Sequence, residues 1–390
     1  MNPSTARPHT SARPRSAAPS AVDRLRTRLP EMIEDVGALV TAESPTSDLA
    51  AVVHCATVLA ALGTRLTGRS PEWLQDTGSP HLRWRFGSGD RVLLLGHLDT
   101  VWPVGSLATH PFAVEDGILR GPGCFDMKAG LVQLFHGLAS LDDLDGVTVL
   151  VTSDEEAGSA DSRALIEDEA RRTRAVLVLE AAEDGALKTE RKGASLYDLT
   201  ITGRAAHAGL EPERGVNATT ELAHQVLAVD GLTDRTAGTT VTPTVAGAGT
   251  TRNTVPHTAS LQIDVRARTE REQWRVDAAL RGLPCALDGA ELTLTGGLNR
   301  PPLSAASSAG LFALAKELNV ALGLGPLRGA AVGGGSDGNF AAGVGAPTLD
   351  GLGAVGGGAH ADDEHVVVAE LPARAALVAA LVDELCGRSR

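Results

Sequence analysis

Three near-continuous apolar runs, Val92–Gly96, Val147–Thr152 and Ala175–Glu180, constrain the fold of this chain more than any other feature. They lack the polar alternation of a sheet with one wet face and read as strands buried on both faces, as parallel sheets require. Between the first two lies Met127–Ser140, whose apolar and small residues predict a helix packed on that sheet. The fold class is therefore α/β. In such sheets ligand sites form beyond the carboxyl ends of the strands, which is where His97, Asp99, Glu155, Glu156 and Glu180 fall.

A length of 390 residues with 43% hydrophobic content allows two domains, each with its own core. The pattern changes after Gly193. Strands are expected at Ser195–Ile201, Ser260–Ala267 and Ala290–Thr295, and helices at Asn217–Asp230 and Arg271–Arg281. These imply a small two-layer α/β unit, residues 194–300, inserted between a first part at 21–193 and a second at 301–390. Residues 1–20, rich in Pro, Ser, Ala and Arg, lack the apolar core of a signal peptide and read as a disordered tail, with a cytoplasmic location as the default. No apolar run is expected to span a membrane. A formal charge of -13 gives no support for a nucleic-acid groove. The four cysteines are scattered with no CxxC pair, which argues against a disulfide framework or a thiolate metal site.

The strand ends carry the chemistry. His97 and Asp99 lie just past one apolar run, where the imidazole suits zinc and Asp99 could accept its other ring N–H, fixing the tautomer. Alone, such a pair also fits a surface turn. Asp126 precedes the expected helix, so it could cap that helix or bridge two cations; a carboxylate has oxygens for both. Glu155 and Glu156 follow another buried run, where one could ligate metal while the other acts as base on bound water. Glu180 ends the third run, and His360 follows a Gly-rich loop. His54, His110, His136, His224, His257 and His365 have no comparable placement and read as core or surface residues.

In order, the segments Gly96-His-Leu-Asp-Thr-Val-Trp-Pro-Val-Gly105, Gly121-Pro-Gly-Cys-Phe-Asp-Met-Lys-Ala-Gly130, Ser153-Asp-Glu-Glu-Ala-Gly158, Leu179-Glu180, Gly203-Arg-Ala-Ala-His-Ala-Gly209, Arg252-Asn-Thr-Val-Pro256, Asp264-Val-Arg266, Gly334-Gly-Ser-Asp-Gly-Asn-Phe340 and Ala359-His360 resemble the M20 family of zinc metallopeptidases and amidohydrolases, especially its glutamate carboxypeptidase branch. The resemblance covers nearly the whole chain after the tail. It implies a mixed-sheet catalytic domain with an inserted ferredoxin-like dimerisation domain. It further implies two zinc ions per subunit, with cobalt or manganese as substitutes: one on His97 and Glu180, the other on Glu156 and His360, bridged by Asp126. Asp99 would orient His97, and Glu155 would be the general base. His207 would reach the other subunit of a homodimer and support the oxyanion. Asn253 and Arg266 match positions around the substrate carboxylate. Arg300 offers a second planar clamp, and Gly335 and Ser336 would line the pocket. Lys188 lies near a further contact position.

The reaction so implied is hydrolysis of an amide whose leaving amine belongs to an amino acid with a free carboxylate. The Asp99-Thr-Val-Trp102 continuation resembles that of the glutamate carboxypeptidase branch, which implies a carboxypeptidase releasing glutamate or another acidic residue from a peptide or N-acyl conjugate. A small-molecule N-acyl-amino-acid deacylase would use the same chemistry. A non-catalytic metal-containing scaffold is disfavoured because every metal position and the base are present.

Overall fold

The computed structural model describes residues 20–74 and 78–387. The expected tail, residues 1–20, lies outside them except for Ser20, whose hydroxyl caps the helix Ala21–Thr27 by accepting from Asp23 N.

The larger domain is built on a six-stranded sheet in the order Glu72–Leu74, His81–Arg85, Val147–Thr152, Val92–His97, Ala175–Val178, Thr348–Leu349. The last four run parallel, while the first two are antiparallel to their neighbours. Both faces are covered, which is why the runs do not alternate. Val92, Leu94, Val147, Val149, Val151 and Leu177 join one core with helices Leu29–Thr41, Leu49–Thr67, Ala129–Leu138 and Leu371–Leu385. Leu93, Leu95, Leu150, Val176 and Val178 enter a second core with helices Arg163–Arg172 and Gly338–Gly343. Each such buried side chain contributes about 1.5–3 kcal/mol. His97 pairs with Thr152, so those two strands finish level, while Ala175–Val178 ends opposite Leu95, two residues earlier.

Two expectations need correcting. The helix expected at Met127–Ser140 is regular only over Ala129–Leu138, because Asp126 and Met127 hold non-helical angles inside the turn Cys124–Lys128. The buried Lys128 ammonium donates to Leu39 O and Ala42 O, closing the end of the helix Leu29–Thr41. The helix Leu49–Thr67 is, by length and composition alone, long and apolar enough to cross a membrane, against the expectation that no segment is. Its Val52, Cys55, Ala56, Leu59 and Leu62 pack into the first core, as in the core helix of a two-layer fold.

The smaller domain is a four-stranded antiparallel sheet ordered Thr240–Ala248, Thr258–Ala267, Gly193–Thr202, Glu291–Arg300. With helices Ala218–Asp230 and Glu270–Arg281 the chain order is β-α-β-β-α-β, the ferredoxin-like pattern. Gly193–Thr202 alternates buried and exposed residues, with Tyr197, Leu199 and Ile201 inside. Strand Thr240–Ala248 escaped sequence reading because Pro243 interrupts it. Proline is tolerated on an edge strand, and here the strand is at the edge, with a register shift between Pro243 and Val245.

Candidate metal centre

His97 is the last residue of its strand and is 2% exposed. Its Nδ1 lies 3.0 Å from the carbonyl oxygen of Asp99 and 3.4 Å from that residue's carboxylate. Both partners accept, so the ring proton belongs on Nδ1. Nε2 faces Asp126 Oδ1 at 3.2 Å and Glu180 Oε1 at 3.4 Å. The Asp99 carboxylate also accepts from Thr46 Oγ1 at 2.7 Å and from the backbone N–H groups of Glu155 and Glu156 at 3.3 and 3.1 Å. Asp99 thus ties the histidine's loop to the turn Glu155–Ala157 that presents the acid pair.

The other oxygen of Asp126, Oδ2, lies 3.4 Å from His360 Nε2, which also approaches Glu156 Oε1 at 3.1 Å. Two nitrogen–carboxylate sets therefore share one aspartate. His360 adopts a left-handed φ of 63°, uncommon for a side-chain-bearing residue. Gly358 upstream is also left-handed, at φ 75°, where a Cβ would sit 2.8 Å from Glu364 N.

Electrostatics mark the centre as short of positive charge. Burial pushes Glu155 well above the usual carboxylate range, opposed by Arg300, and raises Glu156, opposed by His360. His97 is pushed well above the usual imidazole value although burial opposes it, through its contacts with Asp126, Asp99 and Glu180. Asp126 and Glu156 push His360 up to about 10. In a tetrahedral zinc shell with bonds of about 2.1 Å, neighbouring donor atoms are about 3.4 Å apart. The donor spacings here fit that shell, and an N/O set of this kind suits a divalent cation. His97, Asp126 and Glu156 present ligand atoms all within 4.8 Å of one another. A second group, Glu31, Asp35 and His136, is as closely spaced.

Several residues that hold this arrangement carry no signal in the sequence. Glu364 is 3% exposed and accepts from the N–H groups of Gly123, Phe125 and Asp126 at 2.9, 2.8 and 3.0 Å, and from Trp102 Nε1 at 2.7 Å. One carboxylate thereby joins the loops that carry His97, Asp126 and His360. Arg191 makes a two-pronged bond to Asp350 at 2.7 and 2.9 Å, lies 3.7 Å from Glu180 Oε2, and donates to Gly334 O and Gly335 O. Asp337, within the segment Gly334–Phe340 that the sequence already singled out, accepts from Thr152 and Ser159.

The expected substrate residues divide into two groups. Arg300 Nη2 reaches the centre, donating to Glu155 Oε1 at 2.9 Å and to Ser159 Oγ at 2.7 Å. Gly335 lies beside it, since a Cβ there would meet Arg300 Cδ at 3.1 Å. Ser336 is fully buried and its hydroxyl donates to Asp350 at 2.6 Å. On the small domain, His207 is exposed, its Nδ1 accepts from Gly209 N, and it pairs with Thr254 beside Asn253. Arg266 forms an ion pair with Asp264 at 2.8 Å. Among the described residues no hydrogen bond or ion pair links His207, Asn253 or Arg266 to the metal cluster.

Residues 93–384 match the model of peptidase family M20/M25/M40. The chain is 33% identical over 379 residues to carboxypeptidase G2 of Pseudomonas sp. (strain RS-16), covering 91% of this chain and 89% of that protein. It is 25% identical to succinyl-diaminopimelate desuccinylase of Wolinella succinogenes, covering 74% and 82%. Among solved structures, aminopeptidase PepT from Bacillus cereus superposes with a TM-score of 0.73 at 24% identity, covering 92% of this chain and 99% of that one. The M20 family metallo-carboxypeptidase Sso-CP2 from Sulfolobus solfataricus gives 0.71 at 16%, with the same coverage. With both domains, the acid–histidine centre and the matched span in place, the chain belongs to peptidase family M20/M25/M40 and is a metal-dependent hydrolase of amide or peptide bonds.

Proposed function

We propose that this enzyme is a two-zinc carboxypeptidase that releases a C-terminal amino acid, glutamate or another acidic residue, from a peptide or N-acyl conjugate, and that it works as a cytoplasmic homodimer. The observation that carries the reading is Asp126, whose two oxygens each face a different imidazole, each with its own glutamate. In this reading His97 and Glu180 hold one ion, Glu156 and His360 the other, and Asp126 both. Bound there, the ions supply Lewis acidity to the scissile carbonyl and to a water.

The protein's own groups do the rest. Glu155 takes a proton from the water as its oxygen adds to the carbonyl carbon. The same proton passes to the amide nitrogen as the C–N bond breaks, so a carboxylic acid and an amine leave and Glu155 returns to its starting state. Arg300, already on Glu155, fixes that carboxylate and turns its remaining donors toward a substrate carboxylate. Asn253 and Arg266 complete the carboxylate's seat when the small domain closes. His207 serves the neighbouring copy, donating to the oxygen of the tetrahedral intermediate. Its exposure supports that assignment.

The similarity to a carboxypeptidase at 33% identity favours peptide or conjugate substrates. The desuccinylase relatives favour a second reading, removal of an acyl group from a small amino acid, by the same steps. Incubation with a panel of dipeptides and N-acyl amino acids, followed by mass analysis of products, separates the two. Glu155→Gln is expected to lower kcat by about 100-fold to 10,000-fold while zinc content stays close to wild type. Near-normal turnover would reject Glu155 as the base.

The dimer is tested with a heterodimer of His207→Ala and Glu155→Gln chains, isolated through two different tags. Each parent is nearly inactive, whereas the heterodimer has one site with both groups intact and recovers about half of wild-type turnover. A heterodimer as inactive as its parents rules out the exchanged histidine.

A further inference from the structure

The Glu155 carboxylate is buried, and among the described residues Arg300 alone is bonded to it. The two nearest acceptors of Arg300 Nη2 are Ser159 Oγ at 2.7 Å and Glu155 Oε1 at 2.9 Å, so the nitrogen's two protons go to these. Ser159 is fully buried and lies just beyond the turn Glu155–Ala157. Its φ is 59°, in the left-handed region that side-chain-bearing residues seldom enter and glycine enters freely. A serine held there against its backbone preference points to a use for its hydroxyl.

Asp337 sets the direction of that hydroxyl. It is 3% exposed and stands at the N-cap of the helix Gly338–Gly343, yet its side chain makes no capping bond. Its Oδ2 accepts instead from Thr152 Oγ1 at 2.8 Å, and its Oδ1 from Ser159 Oγ at 2.5 Å. The two hydroxyls stand at either end of the segment 152–159, which carries Glu155 and Glu156. An ionised carboxylate only accepts, so Ser159 spends its one proton on Asp337 and offers a lone pair to Arg300. Asp337 Oδ1 is itself 3.5 Å from Arg300 Nη2, and the Phe340 ring lies against the guanidinium, its centroid 5.2 Å from Cζ.

We propose that Ser159 and Asp337 are positioning residues for the hydrolysis: together they hold Arg300 Nη2 on Glu155 and so fix the direction of the base's carboxylate. The inference rests on the assignment of Glu155 as base. The test uses the full-length, metal-loaded enzyme. Ser159→Gly removes the hydroxyl while suiting the left-handed backbone, so the fold is kept. It is expected to lower kcat by about 10-fold to 100-fold, the scale set by a misplaced reacting group, with zinc content as in the wild type. KM should stay within about twofold, because Nη2 is committed to the base. Asp337→Ala should match that loss, and Asp337→Asn, whose amide oxygen can still accept from Ser159, should retain more activity. In an Arg300→Met background Ser159→Gly should cost less than about twofold more, since the arm it aims is gone, whereas a general loosening of the fold would add to the first loss. The proposal is overturned if Ser159→Gly turns over as the wild type does, if it loses zinc, if its loss adds to that of Arg300→Met, or if Asp337→Asn is no better than Asp337→Ala. An inactive Glu155→Gln enzyme beside an unimpaired Ser159→Gly enzyme rejects the positioning role alone; an active Glu155→Gln enzyme rejects the base and the positioning role with it.

Discussion

Two histidine–carboxylate clusters in the large domain look alike by composition: His97 with Asp126 and Glu156, and His136 with Glu31 and Asp35. They differ in what lies between the acids. In the second, the Arg65 guanidinium donates to both Glu31 and Asp35, Arg28 adds a bond to Glu31 at 3.0 Å, and His136 Nε2 closes on Asp35 at 2.7 Å. The cluster is neutralised by its own side chains. In the first, no Lys or Arg is bonded to His97, Asp126 or Glu156 among the described residues; Arg191 and Arg300 stand at the rim, on Glu180 and Glu155. Ligand types and spacing therefore do not distinguish a metal centre from an ion-pair network. The missing internal cation does.

The most forceful way to break this contrast is Asp126→Ala. If one aspartate serves both ions, zinc content falls at both positions together and turnover drops by about 1,000-fold or more. Loss of a single equivalent by metal analysis would show that the two halves do not share Asp126. The matching change at Asp35 leaves zinc stoichiometry as it was.

A smaller effect is expected at Glu364. Gln in its place turns an N–H donor toward backbone donors that now meet carboxylate oxygens, so the loop carrying Asp126 loses at least one of its supports. Groups that hold metal ligands in this way are worth about 10-fold to 100-fold in metal affinity. Chelator competition measures this without reference to turnover. Trp102→Phe, which removes one donor to Glu364, should weaken affinity less. Zinc affinity unchanged in Glu364→Gln would reduce Glu364 to a packing residue.

These positions also show what was legible in the sequence. The strand ends could be read because a buried run that stops at an acid or a histidine is a local pattern with a physical meaning: His97, Glu155, Glu156 and Glu180 each stand at or just beyond such an end. Glu364 offered no such signal. It sits in His360-Ala-Asp-Asp-Glu beside Asp362, whose side chain is 93% exposed, and nothing local tells the buried acid from the exposed one. Arg191 and Asp350 are far apart in sequence and gain meaning only when the strand Leu187–Arg191 lies beside Asp350, which bridges to Lys188. Asp126 showed both sides of this: its capping and bridging roles were equally open until the helix was seen to start at Ala129, with Lys128 rather than Asp126 at its N-cap.

The smallest effect belongs to the self-neutralised cluster. Although burial opposes it, hydrogen bonds from His136 and Arg65 hold the Asp35 carboxyl below its usual range. A depressed folded-state value means the folded protein keeps its charge to lower pH than the unfolded chain. The stabilisation is therefore fully present above the unfolded value of about 4 and is lost as pH falls through the folded one. Arg65 is largely exposed, so solvent screening keeps the contribution to about 1 kcal/mol. Asp35→Asn should lower the denaturation midpoint at pH 7, and the gap from wild type should close as pH drops below 4. Taking the difference between the two proteins cancels the acid response of the metal centre, which both share. Added zinc should leave that gap unchanged, because Arg65 already supplies the positive charge that an ion would bring. A gap that widens with zinc would mean that the Arg65 cluster also takes metal, and the contrast between the two clusters would fail.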